Sequence, residues 1–140
     1  MQRRRRMALV GSPELNRVTG LIIQGAIAVH RALGPGLLES AYLSCLAYEL
    51  GALGLSVEVD VPLPLTYKEV KLDRGYRIDA RVNDCVIVEL KCVAKIAPIH
   101  EAQLLTYLKL TGCPIGLLLN FKVPIMKQGI KRLGNLPPTK

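Results

Sequence analysis

Tryptophan is absent and phenylalanine occurs once, so this chain has little with which to stack broadly on the bases of a single strand. Its core must be aliphatic. No stretch approaches 18 apolar residues free of charge, which excludes a membrane-spanning helix. The best candidate, Val18 to Val29, is short and interrupted by Gln24 and two glycines; it reads as a buried helix. There is no C-x-x-C pair. Cys45, Cys85, Cys92 and Cys113 stand far apart among Leu, Val and Pro, and only His30 and His100 are left to complete a zinc site. The thiols therefore read as buried and free, as in a reducing cytoplasm. No internal repeat is present, and Arg3 to Arg6 is the one biased tract.

What is present is apolar and basic. Hydrophobic residues make up 50% of 140, too many for a disordered tail and suited to one domain with one core. The formal net charge is +8, half of it in Arg3-Arg4-Arg5-Arg6. That start resembles the basic region of a signal peptide, but Met7 to Val10 is too short to serve as its apolar part. Residues 1–12 are expected to be a disordered basic tail or an imprecise start, 13–136 the single domain, and 137–140 a frayed end. The remainder still has 15 basic against 11 acidic residues, which favours a polyanionic partner over a cationic one.

Apolar spacing predicts a first helix from about Glu14 to Leu33, with Val18, Ile22, Gly25, Val29 and Leu33 as its stripe. Gly34-Pro35-Gly36 ends it. A second helix follows to Leu50 or Leu53, with Leu38, Ala41, Cys45, Leu46 and Leu50 on one face, giving a helical hairpin. Ser56 to Val61 alternates as a half-buried strand, with Pro62 and Pro64 marking an edge or a bend. A small hairpin is expected around Lys68-Glu69. Tyr76 to Val82 and Val86 to Lys91 read as strands. Pro98 opens a third helix to Lys109 or Leu110, with His100, Gln103 and Tyr107 sharing a polar face and Leu104, Leu105 and Leu108 in apolar contact. Ile115 to Phe121 reads as a strand buried on both faces. Ile125 to Leu133 is expected to form a short helix.

Period two puts Glu89 and Lys91 on one face of their strand and Val86, Val88 and Leu90 on the other. Asp79 lies ten residues upstream on a neighbouring strand. Two acids and a lysine so placed suit a hard divalent cation with an activated water, or an exposed cross-strand ion pair. The shared site constrains the register. Asp79 stands directly opposite Glu89 if Asn83-Asp84-Cys85 forms a three-residue loop, whereas a two-residue turn sends the carboxylates to opposite faces, so the shared site predicts the longer loop or a bulge. Glu39 lies near the start of the second helix, which begins just after Gly36, where a carboxylate is favoured by free N–H groups.

With these residues in hand, the chain resembles the GxxExxY protein family of the PD-(D/E)xK nuclease-like superfamily. The resemblance rests on Gly36-Leu37-Leu38-Glu39-Ser40-Ala41-Tyr42, Gly75-Tyr76-Arg77-Ile78-Asp79, Val88-Glu89-Leu90-Lys91, His100 to Leu108 and Gly116 to Phe121, and spans roughly residues 14–134. It implies an α/β fold with a restriction-endonuclease-like core: a mixed central sheet flanked by helices. Asp79, Glu89 and Lys91 match the motif acids and lysine, while Ile78 replaces the consensus proline. Gln103 matches a helical glutamine and Glu39 an extra helical carboxylate.

The expected function is a metal-dependent phosphodiesterase acting on nucleic acid, DNA before RNA. Glu39, Asp79, Glu89, Lys91 and Gln103 would be catalytic. Asp79, Glu89, Glu39 and the Leu90 carbonyl would hold Mg²⁺ or Mn²⁺. Tyr42, Arg77, Arg81, Lys95, His100 and Tyr107 are candidate substrate contacts. A non-cleaving nucleic-acid-binding or regulatory protein, and a protein-interaction partner, are the alternatives. A homodimer would supply the contacts that so small a chain lacks.

Overall fold

Ser12 begins the order by capping a helix: its hydroxyl accepts the Leu15 N–H at 3.1 Å, and Pro13 occupies the first turn, where its missing donor costs nothing. The computed structural model describes residues 12–72 and 75–135. The expected Arg-rich tail and frayed C-terminus lie otherwise outside them, and Ser12, counted with the tail, belongs to the helix. Helix α1 (Pro13–Leu33) buries Leu15, Val18, Ile22, Ala26 and Val29. Leu33, expected in that stripe, is exposed. Gly34 stops the helix at φ 72°, a conformation that favours glycine, and its N–H closes on His30 O at 2.8 Å.

Helix α2 (Glu39–Ala52) packs back on α1 through Leu46 and Leu50. The close approach needs Gly25, where a Cβ would stand 2.8 Å from Leu50 Cδ2. Leu38, expected on the buried face, precedes the helix in an extended conformation and is exposed; Tyr42 takes its place in the core.

The strands are β1 (Val57–Pro62), β2 (Leu65–Tyr67), β3 (Val70–Leu72), β4 (Arg77–Val82), β5 (Val86–Lys91), β6 (Ile115–Asn120) and β7 (Ile130–Gly134). The main sheet runs β1-β4-β5-β6-β7, with β5 and β6 parallel and the other pairs antiparallel. β2 and β3 form the expected separate hairpin. Between β5 and β6 the chain crosses through helix α3 (Pro98–Thr111). α1 and α2 cover one sheet face with Val86, Val88, Leu90, Leu117 and Leu119; α3 covers the other with Ile87, Leu104, Leu108 and Leu118. β6, paired on both edges and covered on both faces, is buried throughout. Leu105 of α3, expected in the core, is exposed, and Tyr107, expected on a polar face, is buried. Of the four cysteines, none in a disulfide, only Cys113 is fully buried.

The expected helix over Ile125–Leu133 is not formed. A 3₁₀ turn (Met126–Gly129) leads into β7, which pairs with β6 from Leu119–Ile130 to Ile115–Gly134. The reason is the other edge of β6. Its backbone groups are buried and need partners, and β7 supplies them. Gly129 permits the turn, since a Cβ there would lie 2.1 Å from Asn120 O. Successive β7 side chains then reach opposite layers: Lys131 pairs with Glu101 of α3 at 3.0 Å, and Arg132 bonds Asn16 and Thr19 of α1.

One irregularity bears on the site. Ala80 and Val82 join the α1–α2 side of the core, yet Ile78, of the same parity, joins the α3 side. On the paired strand Val57 and Val61 divide in the same way. The break falls at Asp60, which has φ 54°, and at Asp79 opposite it. The edge strand expected to alternate cleanly therefore turns over at Asp60, and Asp79 sits at the bend.

Candidate active site

Of the two devices that the shared-site reading allows, the three-residue loop is the one present. β4 pairs with β5 through Val82–Val86, Arg81–Ile87 and Ala80–Val88, leaving Asn83, Asp84 and Cys85 to turn the chain. Asn83 and Asp84 both adopt positive φ, 50° and 56°, which their short polar side chains tolerate. The ladder stops before Asp79 and Glu89. Their carboxylates replace it: the Asp79 N–H donates to Glu89 Oε2, and the Leu90 N–H donates to Asp79 Oδ2, each at 2.8 Å. Leu90 thus turns its backbone toward β4, and the carbonyl of an extended residue leaves the strand on the same edge as its N–H.

Glu89 is 5% exposed and Asp79 is half-buried. Burial, then the charge of Asp79, pushes the Glu89 carboxyl up to about 8, against an ordinary value of 4.5. Burial also raises Asp79, with Glu39 adding to the effect and the Leu90 N–H and Lys91 opposing it. Among the described residues neither acid has a Lys or Arg within ion-pair distance. Lys91 is near enough to favour both charged forms without touching either.

The other expected residues divide into three groups. Glu39 stands beside the acids and its charge is felt by both, but its Oε2 accepts the Cys92 N–H at 3.0 Å. Among the described residues no group of three His, Cys, Asp or Glu side chains is placed to hold a metal ion. Lys91, His100, Gln103 and Tyr107 line one cleft between β5, α3 and the β2–β3 region. Burial raises the Tyr107 phenol, followed by the charges of Glu89 and Asp79, whose influence reaches it. His100 caps α3, its Nδ1 accepting the Ala97 N–H at 2.9 Å.

Tyr42, expected to meet substrate, is fully buried. Its ring stacks on Phe121 at 4.4 Å, its hydroxyl donates to Gly34 O, and it accepts the Leu37 N–H at 3.0 Å. It holds the α1–α2 link and presents nothing to the site. Arg77 and Arg81, on β4, are engaged by acids of β1: Arg77 with Asp60 at 2.6 Å and Arg81 with Glu58 at 3.1 Å. Lys95 lies exposed in the loop after β5.

Asn120 carries a role that its sequence position did not declare. At 2% exposure its Oδ1 accepts the Val93 and Lys122 N–H groups while its Nδ2 donates to Val93 O, fixing the chain just beyond Lys91. A lone amide ending an apolar strand is the signal that could have found it.

The chain matches the family pattern described as the PD-(D/E)XK nuclease superfamily over residues 16–133. It belongs to that superfamily. Neither the curated proteins nor the solved structures gave a match. Membership of the PD-(D/E)XK nucleases supports a nuclease-type function and a nucleic-acid substrate in general terms, and these nucleases generally use divalent metals. The donor set fits such an ion: two adjoining carboxylates, half or more buried, each with its second oxygen beyond the backbone contact, and no ion-paired base. Hard divalent cations take oxygen ligands of this kind. Among the described residues no helix is long and apolar enough to cross a membrane.

Proposed function

We propose that the chain is a metal-dependent phosphodiesterase that hydrolyses a nucleic-acid backbone, DNA before RNA, with Asp79, Glu89 and the Leu90 carbonyl holding Mg²⁺ or Mn²⁺. The observation that carries this reading is the reciprocal carboxylate–amide exchange at the end of the β4–β5 ladder. It sets two acids side by side in a partly dry site with no base paired to them among the described residues, an arrangement whose ionised form is costly unless a proton or a cation joins it. Held by these groups, such an ion would supply polarisation of the phosphate and stabilisation of the leaving oxygen.

The protein's own groups do the rest. Lys91 hydrogen-bonds the attacking water and offsets charge at phosphorus. Gln103 and the Tyr107 hydroxyl orient the water or a phosphate oxygen. Glu39 adjusts the local charge and braces the Cys92 backbone. Water adds to phosphorus, the bond to the 3′ oxygen breaks, and that oxygen takes up the proton, leaving a 5′-phosphate. Arg77, Arg81 and Lys95 are candidates for backbone contacts, which give affinity without sequence preference. For Arg77 and Arg81 this means exchanging an exposed ion pair for phosphate.

The test is a cleavage assay on plasmid, linear duplex and single-stranded substrates with Mg²⁺ or Mn²⁺, beside a Lys91→Ala protein of verified fold. Metal-dependent cleavage lost in Lys91→Ala is expected. Equal cleavage by both proteins would assign the activity to a contaminant, and no cleavage by either would leave the fold without the proposed chemistry.

A further inference from the structure

The cleft that holds Lys91 is larger and more apolar than phosphate chemistry requires. It encloses about 480 Å³, within the range of roughly 300–1,000 Å³ that takes a small-molecule-sized group. Leu63, Leu65, Ile99 and Leu110 give it aliphatic walls, and Tyr76 stands among them. Ile99, Tyr76 and Leu110 are respectively 70%, 48% and 45% exposed, so the apolar surface faces water.

Polar groups join the cleft on the α3 and β5 sides. With Nδ1 of His100 accepting the Ala97 N–H, the neutral ring carries its proton on Nε2, a donor. The Gln103 amide offers both a donor and an acceptor. A phosphate finds no partners on the Leu and Ile walls. A base inside a duplex has its faces covered by stacking and its pairing edge used. An unpaired base has two apolar faces and a free polar edge, and it matches both parts of the cleft.

We propose that this cleft takes one unpaired nucleobase from the strand whose phosphate lies at Lys91, so that the favoured substrate carries an unpaired nucleotide beside the scissile bond. The position of that phosphate rests on the nuclease reading; the binding of the base does not. A single strand, a flap or a frayed end supplies such a base directly, whereas a continuous duplex must first unstack and unpair one. One pocket for one base also agrees with a chain too poor in aromatics to build a long stacking platform.

Base entry is read without turnover by titrating, in EDTA, a single-stranded oligonucleotide carrying one 2-aminopurine, whose fluorescence reports its stacking. Binding with a clear fluorescence change is expected for the single strand and not for the same base in a blunt duplex. Tyr76→Ala and Leu110→Glu, both at exposed positions and checked by thermal melting, should weaken single-strand binding about tenfold, the scale of one base–aromatic contact, and leave duplex binding unchanged. With Mg²⁺ or Mn²⁺, kcat/KM for single strands and flaps should exceed that for blunt duplex, and the two variants should erase the difference. Cleavage that is indifferent to pairing and to both variants overturns the cleft proposal while the nuclease reading stands. No cleavage, with base binding that still responds to the variants, upholds the cleft and counts against the nuclease reading. Binding indifferent to both variants overturns the cleft proposal whatever the cleavage. So does a concentration-dependent dimer abolished by Leu110→Glu without any response of the base, since a second copy would then fill the cleft.

Discussion

Asp79 gives its N–H to Glu89 Oε2 at 2.8 Å, and its own carboxylate takes the N–H of the residue after Glu89. Each acid therefore does two things: it places a carboxyl group in the site and satisfies a backbone donor of the opposite strand. The two contributions can be separated by substitution. Asp79→Asn keeps an acceptor for the Leu90 N–H and removes the charge. Asp79→Ala removes both and strands a donor on a buried residue, at a cost of about 1–3 kcal/mol. In denaturant titrations with EDTA, the Asn protein should be at least as stable as wild type and the Ala protein less stable than the Asn protein by about that amount. Equal stability of the two variants would mean that the Leu90 donor finds another partner.

The pH dependence has a definite sign. Folded Glu89 keeps its proton up to about 8, while the unfolded chain loses it near 4.5. Between those values the native state holds one more proton than the unfolded state, so stability falls as pH rises. The contribution is complete below about 4.5 and gone once pH passes the folded value. Glu89→Gln lacks the titration and keeps an acceptor for the Asp79 N–H. Without metal, the advantage of Glu89→Gln over wild type should grow from pH 5 to pH 8. A difference that stays flat across that range would show that Glu89 ionises as an ordinary glutamate.

Tyr42 offers a contrast, because its hydroxyl serves the fold. Tyr42→Phe leaves the stack on Phe121 and deprives Gly34 O and the Leu37 N–H of their partner. A loss of about 1–3 kcal/mol in unfolding free energy is expected, with cleavage per folded molecule unchanged. A selective loss of cleavage with full stability would put the hydroxyl back in the site.

How much of this was legible in the sequence follows from which forces decide each element. The stop of α1 at Gly34 and the buried β6 follow from local chemistry, and register arithmetic makes the Asn83–Cys85 loop, or a bulge, the condition for Asp79 and Glu89 to share a face; the loop is present. β7 was misread as a helix because its place depends on the open edge of β6, a partner ten or more residues away in sequence. The turn-over at Asp60 was hidden by a clean alternation of apolar and acidic residues, since nothing in Val57 to Val61 announces a positive φ. Tyr42 shares a helical face with Glu39 by spacing. Only the packing of Phe121 beneath it shows that the aromatic points into the core.

The shared-ion site is tested most directly by calorimetric titration of Mn²⁺ into wild type, Asp79→Ala, Glu89→Ala and Lys91→Ala, each verified as folded. One site per chain is expected for wild type and for Lys91→Ala, with a rise in melting temperature by mass action, because the unfolded chain lacks the assembled carboxylates. Neither carboxylate variant should bind or be stabilised. Unaltered Mn²⁺ affinity in both carboxylate variants would contradict the shared site and remove the main physical support for metal-dependent hydrolysis by this chain.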